Sequence, residues 1–452
     1  MRLKLPFLFM LIFSVLSLSA QEVLSLQDCI ELALKNNTTI RTNTNLNESA
    51  AEDVTASYAG ILPSANANAS SGRLERGESV RISSFPTGRY DAQGNPIIVD
   101  TVIVQPGTKY NYNSMGVSIN QNIFDGGEWW NAIRFAKSAR RSSNYNLQDV
   151  INQTIYQVQN RFFSLLMQQK LLEVNQLQVK RTQEELDKTQ KMFELGAVAK
   201  VDLYRSKRSH GEATISMLNQ ENAVLQAKNN LNLVMGREPN EPLNISPDME
   251  LMPEIKDVDN LLNQGENNNP GLKKTEEDIT GSEFSVSRAK SQLWPSVGAS
   301  FSYGRDNDQL SQVYSNWGKN WSIRYGIGIQ YNLFNGFRDW TNIQKQKLAL
   351  KNAKETNEET RRNLRAEILQ LVDNYNSYLD IIQVNEDNLE AAKEEYRLAE
   401  ERYRIGSGTS IELSTALEGL TRAEQVLVAA QYNARITQAQ LEAALGVIYS
   451  EE

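Results

Sequence analysis

Two stretches of the chain contain neither glycine nor proline: residues 128–195 and 337–405, 68 and 69 residues long. Glycine and proline are the residues that interrupt helices, so each stretch is expected to be one continuous helix. At about 1.5 Å per residue such a helix measures about 100 Å, far beyond the globular mean of about 11–12 residues. A helix of that length needs partners along its whole side. Val179, Thr182, Leu186, Thr189 and Phe193 recur with spacing 3,4,3,4, as do Leu389, Ala392, Tyr396, Ala399 and Tyr403. The segments that follow carry seven-residue ladders, Leu203, His210, Met217, Val224 and Leu231, then Leu413, Leu420, Leu427, Ala434 and Leu441. A seven-residue repeat demands partner helices and left-handed supercoiling. His210 is one rung and is expected to face a neighbouring helix, not a ligand.

The two patterns superpose at an offset of 210 residues, which predicts an internal tandem duplication. Asn122-Ile123-Phe124-Asp125-Gly126 matches Asn332-Leu333-Phe334-Asn335-Gly336, Trp130 matches Trp340, and Met235-Gly236 matches Leu445-Gly446. Leu62-Pro63-Ser64 matches Trp294-Pro295-Ser296 at offset 232, so the first copy carries 22 extra residues. They fall at about 72–110, rich in Gly, Pro, Ser and charge, which predicts a long loop. The first repeat is assigned to 21–236, with strands at about 62–72 and 110–124, a long helix at about 125–195 and a return helix at about 200–236. A linker follows at 237–252. The second repeat is assigned to 253–452, with strands at about 294–304 and 321–334 and helices at about 337–405 and 409–446. Val117, Ile119 and Ile123 alternate with Gly116, Ser118 and Asn122, and Ile327, Ile329 and Leu333 alternate with Gly326, Gly328 and Asn332. Apolar-out, polar-in alternation over about ten residues suits a transmembrane β-barrel strand.

Composition removes most other classes. Hydrophobic residues make up 40% of the chain, and mean hydropathy is −0.49, which excludes a polytopic helical membrane protein. One cysteine, Cys29, and one histidine, His210, exclude an internal disulfide and multi-His metal sites. No nucleophile–base constellation is found, so no catalytic residues, metal or cofactor are expected. Net charge is −8, against a nucleic-acid partner. Arg2 and Lys4, an apolar run to about Leu18, and Ser19-Ala20 describe a signal peptide over 1–20.

Four strands do not close a barrel, and an open sheet edge does not exist in lipid, so the chain is expected to oligomerise. The object predicted is a mixed α and β membrane protein: a barrel in the outer membrane of a Gram-negative bacterium, continued by a periplasmic helical barrel. The competing reading is a secreted periplasmic coiled-coil protein acting as a structural or interaction stalk. A stalk has no use for lipid-facing Val117, Ile119, Ile327 and Ile329.

The opening helix Leu26-Gln27-Asp28-Cys29-Ile30-Glu31-Leu32-Ala33-Leu34-Lys35-Asn36-Asn37 resembles that of the TolC-like outer-membrane efflux proteins. So do the Leu/Trp-Pro-Ser entries, the Phe-Asp/Asn-Gly exits and the glycine turns at Gly196 and Gly406. The resemblance covers nearly the whole chain past residue 20. It implies a homotrimer with a 12-stranded barrel, four strands per chain, embedded in outer-membrane lipid. It implies as partners a periplasmic adaptor and an inner-membrane transporter of the resistance-nodulation-division or ABC type. Such a channel passively conducts efflux substrates or type I secreted proteins.

Gly196 and Gly406 break the long helices, and Gly supplies the backbone freedom of a tight turn. By resemblance the turns Gly196-Ala197-Val198 and Gly406-Ser407-Gly408 face the adaptor. Six residues beyond each glycine stands an acid, Asp202 and Glu412. By the same resemblance these acids line a periplasmic aperture, and Tyr403 hydrogen-bonds Asp202. The chain departs from the family pattern where Gly408 replaces an arginine and Thr415 a second acid. Macrodipole preference alone also places acids at such helix starts.

Overall fold

The structure, a computed structural model, describes residues 23–246 and 251–447. The expected signal peptide and part of the expected linker lie outside the described residues. The chain opens with β1 (Val23–Leu24), α1 (Leu26–Asn36) and α2 (Thr38–Ser57), followed by strands β2 (Ser64–Arg76), β3 (Ser79–Tyr90), β4 (Pro96–Gln105) and β5 (Thr108–Phe124). Next come the 67-residue α3 (Glu128–Glu194), α4 (Lys200–Val234), β6 (Asn244–Ile245), α5 (Val258–Asn268) and α6 (Pro270–Ser291). The chain closes with β7 (Ser296–Asn307), α7 (Leu310–Tyr314), β8 (Trp321–Gln330), the 67-residue α8 (Arg338–Arg404) and α9 (Ser410–Leu445). The described residues form two compact units, one of 23–49, 141–246, 251–277 and 355–447, the other of 50–140 and 278–354.

The first unit is helical. Ser25 and Asp28 form a capping box that starts α1, each side chain bonding the other's backbone N–H. Asn37 ends α1, and its side chain accepts from Thr39 N to start α2; Asn269 does the same between α5 and α6, accepting from Leu272 N. The amphipathic face of α1 buries Cys29 and Ala33 against Phe162, Phe163, Leu166, Val224, Leu231 and Tyr432. A second core joins Leu272 to Ile368, Leu371, Val372, Leu441 and Leu445. Gly236 and Gly446 end the return helices at φ +72° and +70°. A Cβ at Gly236 would stand 2.7 Å from the Asn36 carbonyl, and one at Gly446 2.8 Å from that of Asn268, so both glycines are required by close backbone approach as well as by conformation.

The second unit holds a four-stranded antiparallel sheet in the order β2-β5-β7-β8, with β2 and β8 at its edges. Its register sorts the two faces cleanly. One row reads Ala67, Val117, Tyr303, Ile323 and the next Ala65, Ile119, Phe301, Tyr325. The rows between them read Asn66, Ser118, Ser302, Arg324 and Ser64, Asn120, Ser300, Gly326. Period-2 alternation thus yields one apolar face and one polar face, of small residues apart from Arg324. The apolar face is bare: Tyr325, Ile327 and Ile329 are 83%, 73% and 74% exposed. Gln121 interrupts the apolar row because its amide donates to the Ile61 carbonyl at the entry to β2. Among the described residues no helix is long and apolar enough to cross a membrane.

The long loop expected at about 72–110 is instead strand. β2 continues to Arg76, β5 begins at Thr108, and between them β3 and β4 pair as an antiparallel ribbon with Val80 opposite Val104 and Ile82 opposite Val102. The β-branched residues of β4, Ile97, Ile98, Val99, Val102, Ile103 and Val104, outweigh the Gly, Pro and Ser that suggested a loop. Gly94 does punctuate it, at φ +87° in the turn that Asp91 caps through Gln93 N and Asn95 N. At the other strand end, the Arg305 guanidinium is buried and donates to the carbonyls of Gln312, Ser315, Asn316 and Lys319, with Trp317 packed 4.7 Å away.

Candidate functional site: the paired helix turns

Both long helices end in the same way. At the end of α3, Gly196 N donates to Phe193 O and Ala197 N to Met192 O; at the end of α8, Gly406 N donates to Tyr403 O and Ser407 N to Arg402 O. The glycines sit at φ +74° and +75°. These are Schellman closures, which satisfy the last carbonyls of a helix through a left-handed residue. Gly408 has a separate reason to be small: a Cβ there would lie 3.1 Å from Arg402 Cβ and 3.1 Å from Tyr403 N.

The starts of the two return helices differ. α9 opens with a capping box, Glu412 N donating to Thr409 Oγ1 and Thr409 N to the Glu412 carboxylate. α4 opens at Ala199, which has no side chain to cap it, and Asp202, three residues on, does not reach back. Asp202 Oδ1 instead accepts from Ser410 Oγ at 3.0 Å and from Arg205 Nη1 at 2.9 Å, and Arg205 Nη1 also lies 3.1 Å from Ser410 Oγ. Glu412 has its own cation, Arg402, at 3.7 Å.

Tyr403 does not bond Asp202 within the chain. Its hydroxyl is buried against Thr189 Oγ1 at 3.0 Å, and Ser206 Oγ donates to that same threonine at 3.3 Å. Within the chain the acid goes to Ser410 and Arg205. The 3,4 spacing of α3 and α8 points Tyr403 at the seam toward Thr189, and Ser410 takes the acid. Sequence reasoning singles out neither Ser410 nor Arg205. Arg205 stands one turn after Asp202, a findable i,i+3 partner; the Ser410 contact spans 208 residues and has no local signal. Sequence reasoning also passes over an apolar rim at the turns. Leu195 and Ile405 are 84% and 64% exposed, and Val201 and Ile411 are exposed one step further on.

Among the described residues no cluster of His, Cys, Asp and Glu is arranged to hold a metal ion. The lone thiol, Cys29, is buried, and burial, helped by nearby Asp28, pushes its pKa up to about 12, so it is chemically quiet.

The family model for outer membrane efflux proteins matches residues 29–237 and 261–447. The chain is similar to outer membrane protein TolC of Salmonella enteritidis, 23% identical over 359 residues that cover 76% of this chain and 71% of that protein. It is similar also to TolC of Escherichia coli K12, 21% identical over 362 residues covering 76% and 72%. Among solved structures, the Campylobacter jejuni CmeC outer membrane channel superposes with a TM-score of 0.78 at 18% identity, covering 94% of this chain and 87% of that one. The outer membrane protein VceC of Vibrio cholerae gives 0.76 at 18% identity, over 93% and 96%. With the family model spanning both long helices, both return helices and the sheet strands, the chain belongs to the outer membrane efflux protein family.

Proposed function

We propose that the chain is the outer-membrane exit duct of a tripartite machine, passively conducting what a periplasmic adaptor and an inner-membrane resistance-nodulation-division or ABC transporter hand over. Family membership sets aside the stalk reading. The observation that carries the proposal is the sheet: one bare apolar face, one small-residue polar face, and two edge strands with unpaired backbone. In lipid every backbone polar group must be satisfied, so β2 of one copy has to meet β8 of the next. Three copies give 12 strands with the Ser/Asn/Gly face inward. Two tandem repeats, at 21–236 and 253–452, account for two long helices of equal length that end at Glu194 and Arg404 and run into matching turns at Gly196 and Gly406.

The helical unit then extends into the periplasm. The turns Gly196-Ala197-Val198 and Gly406-Ser407-Gly408, with the exposed apolar rim of Leu195 and Ile405, meet the adaptor. Asp202 and Glu412 stand at the aperture, and Tyr403 secures the seam behind it. The experiment is chemical crosslinking of detergent-extracted protein. Crosslinking that stops at three chains is expected, with extraction only from the outer-membrane fraction; a stable soluble monomer would overturn the architecture.

A further inference from the structure

The seam between α3 and α4 behind the turns carries a run of buried polar side chains. Thr182, Glu185 and Thr189 succeed one another along one face of α3, and all three are buried. The outer two are engaged from α4. Thr182 Oγ1 lies 3.3 Å from His210 Nδ1, and Thr189 Oγ1 accepts from Ser206 Oγ. Glu185, between them, is only 6% exposed, and its Oε2 has no hydrogen-bond partner. A charged carboxylate held there keeps one oxygen, Oε2, without water or a donor, a costly state for the packed helices.

The neighbouring cations are committed elsewhere. On α3 itself, Lys188 is paired with Glu400 of α8 at 2.9 Å, and Arg181 with Glu424 of α9 at 3.1 Å. Other titratable groups around the site are Glu184 on α3, His210 on α4, and Tyr396 and Tyr403 on α8, the last bonded to Thr189. Burial pushes the Glu185 carboxyl up to about 7, with Lys188 pulling weakly the other way. Burial and the Glu400 charge push Tyr396 up to about 12, so it stays a neutral phenol.

We propose that Glu185 is a proton-operated latch on the helix turns: protonated, it lets the last turns of α3 pack against the first turns of α4, and ionised, it loosens that seam and frees the turns to part. The effect on the turns rests on the duct reading; the effect on the seam does not. The direction follows from the raised pKa. The packed seam binds the proton more tightly than the loosened one. Its extra stability is full below the ordinary glutamate range and is lost as pH rises to about 7.

Hydrogen exchange of the detergent-solubilised full-length protein tests the seam. After correction for intrinsic rates, amides around Glu185 and His210 are expected to exchange on the order of tenfold faster at about pH 8 than at about pH 5.5. Glu185→Gln, isosteric and never charged, is expected to hold the low-pH protection at both values, and Glu185→Leu to do the same without a polar group. Equal protection of the wild type at both pH values overturns the proposal. So does a pH dependence that survives Glu185→Gln, or one that His210→Asn abolishes, since histidine would then be the sensor. Conductance in planar bilayers reads the turns. It is expected to rise with pH in the wild type and not in Glu185→Gln. No conductance at any pH overturns the duct reading, whereas conductance indifferent to pH with the exchange result intact overturns the hold of Glu185 on the turns.

Discussion

Ser410 Oγ donates to Asp202 Oδ1 over 3.0 Å, and so ties the first turn of one return helix to the first turn of the other. Asp202 forgoes a more local use. Asp202 occupies the position from which Glu412 caps α9, yet leaves α4 without a side-chain cap. The carboxylate is diverted from its own helix to the neighbouring one, and Arg205 closes the triangle.

Loss of this tie should loosen the turns. A hydrogen bond to a charged acceptor is worth about 1.5–3 kcal/mol, and less where, as here, the groups are partly exposed to water. Ser410→Ala is expected to raise single-channel conductance in planar bilayers, and Asp202→Asn to add little on top of it. Tyr403→Phe should have the smaller effect, because its hydroxyl serves Thr189 in the seam. A larger effect from Tyr403→Phe than from Ser410→Ala would show that the tyrosine holds the aperture.

Each acid at the turns has an arginine beside it, Arg205 for Asp202 and Arg402 for Glu412. A ring of six bare carboxylates would favour cations strongly; paired acids do so weakly. Arg205→Gln is expected to increase the cation-to-anion permeability ratio and to introduce block by divalent cations. A wild-type channel already blocked by them, with Arg205→Gln no different, would mean that the arginines leave the acids uncompensated.

The periodicities made the framework legible. The two 67-residue helices fill the windows free of glycine and proline, and the turn glycines announce where the chain reverses. Met235-Gly236 and Leu445-Gly446 are visible as a repeated pair, but not why: each glycine lies against the carbonyl of a distant asparagine. What escaped was set by tertiary partners. Ser410 is one more polar residue at a helix start until Asp202 is folded against it. The β3–β4 ribbon hid among turn-forming residues because a two-stranded ribbon exposed on both faces shows no clean apolar alternation.

The apolar face of the sheet should tolerate charge poorly. Ile327 lies on the bare apolar face between two glycines of the polar one. Ile327→Arg is expected to cost about 2–4 kcal/mol if it lies near the bilayer midplane, read as a falling yield of crosslinkable oligomer in the outer membrane. Asn120→Asp, on the polar face, is expected to assemble normally. Equal yields from the two variants would mean that the faces are assigned the wrong way round.

Cys29 offers a probe of the helical core. Buried in α1 against Phe162 and Leu231, with its pKa pushed up to about 12, it holds almost no thiolate near pH 7. A maleimide reagent should label it only after the core opens, so labelling is expected to track unfolding in denaturant. Fast labelling of the native protein would show that α1 detaches from the core far below the global transition.

Arg305 carries the clearest test of the loop after β7. Its Nη2 faces four carbonyls, from Gln312 in short α7 through Ser315 and Asn316 to Lys319. Carbonyls at a helix C-terminus carry partial negative charge, and the two N–H bonds of Nη2 are shared among these four, of which Asn316 O also accepts from Lys319 N. Arg305→Leu keeps much of the bulk against Trp317 but removes the donor. Leaving buried acceptors unpaired costs about 1–3 kcal/mol for each group, part of it relieved as the loop swings into water. The loop should therefore open locally while the sheet, whose ladder bonds are backbone, survives. Trypsin cuts after lysine, and the Lys319 carbonyl is one of the four. Trypsin added to intact cells is expected to cleave the Arg305→Leu variant at Lys319 and to spare that bond in the wild type. Cleavage only after outer-membrane rupture would place this end of the sheet in the periplasm and invert the topology; equal resistance of both proteins would show that Arg305 does not anchor the loop.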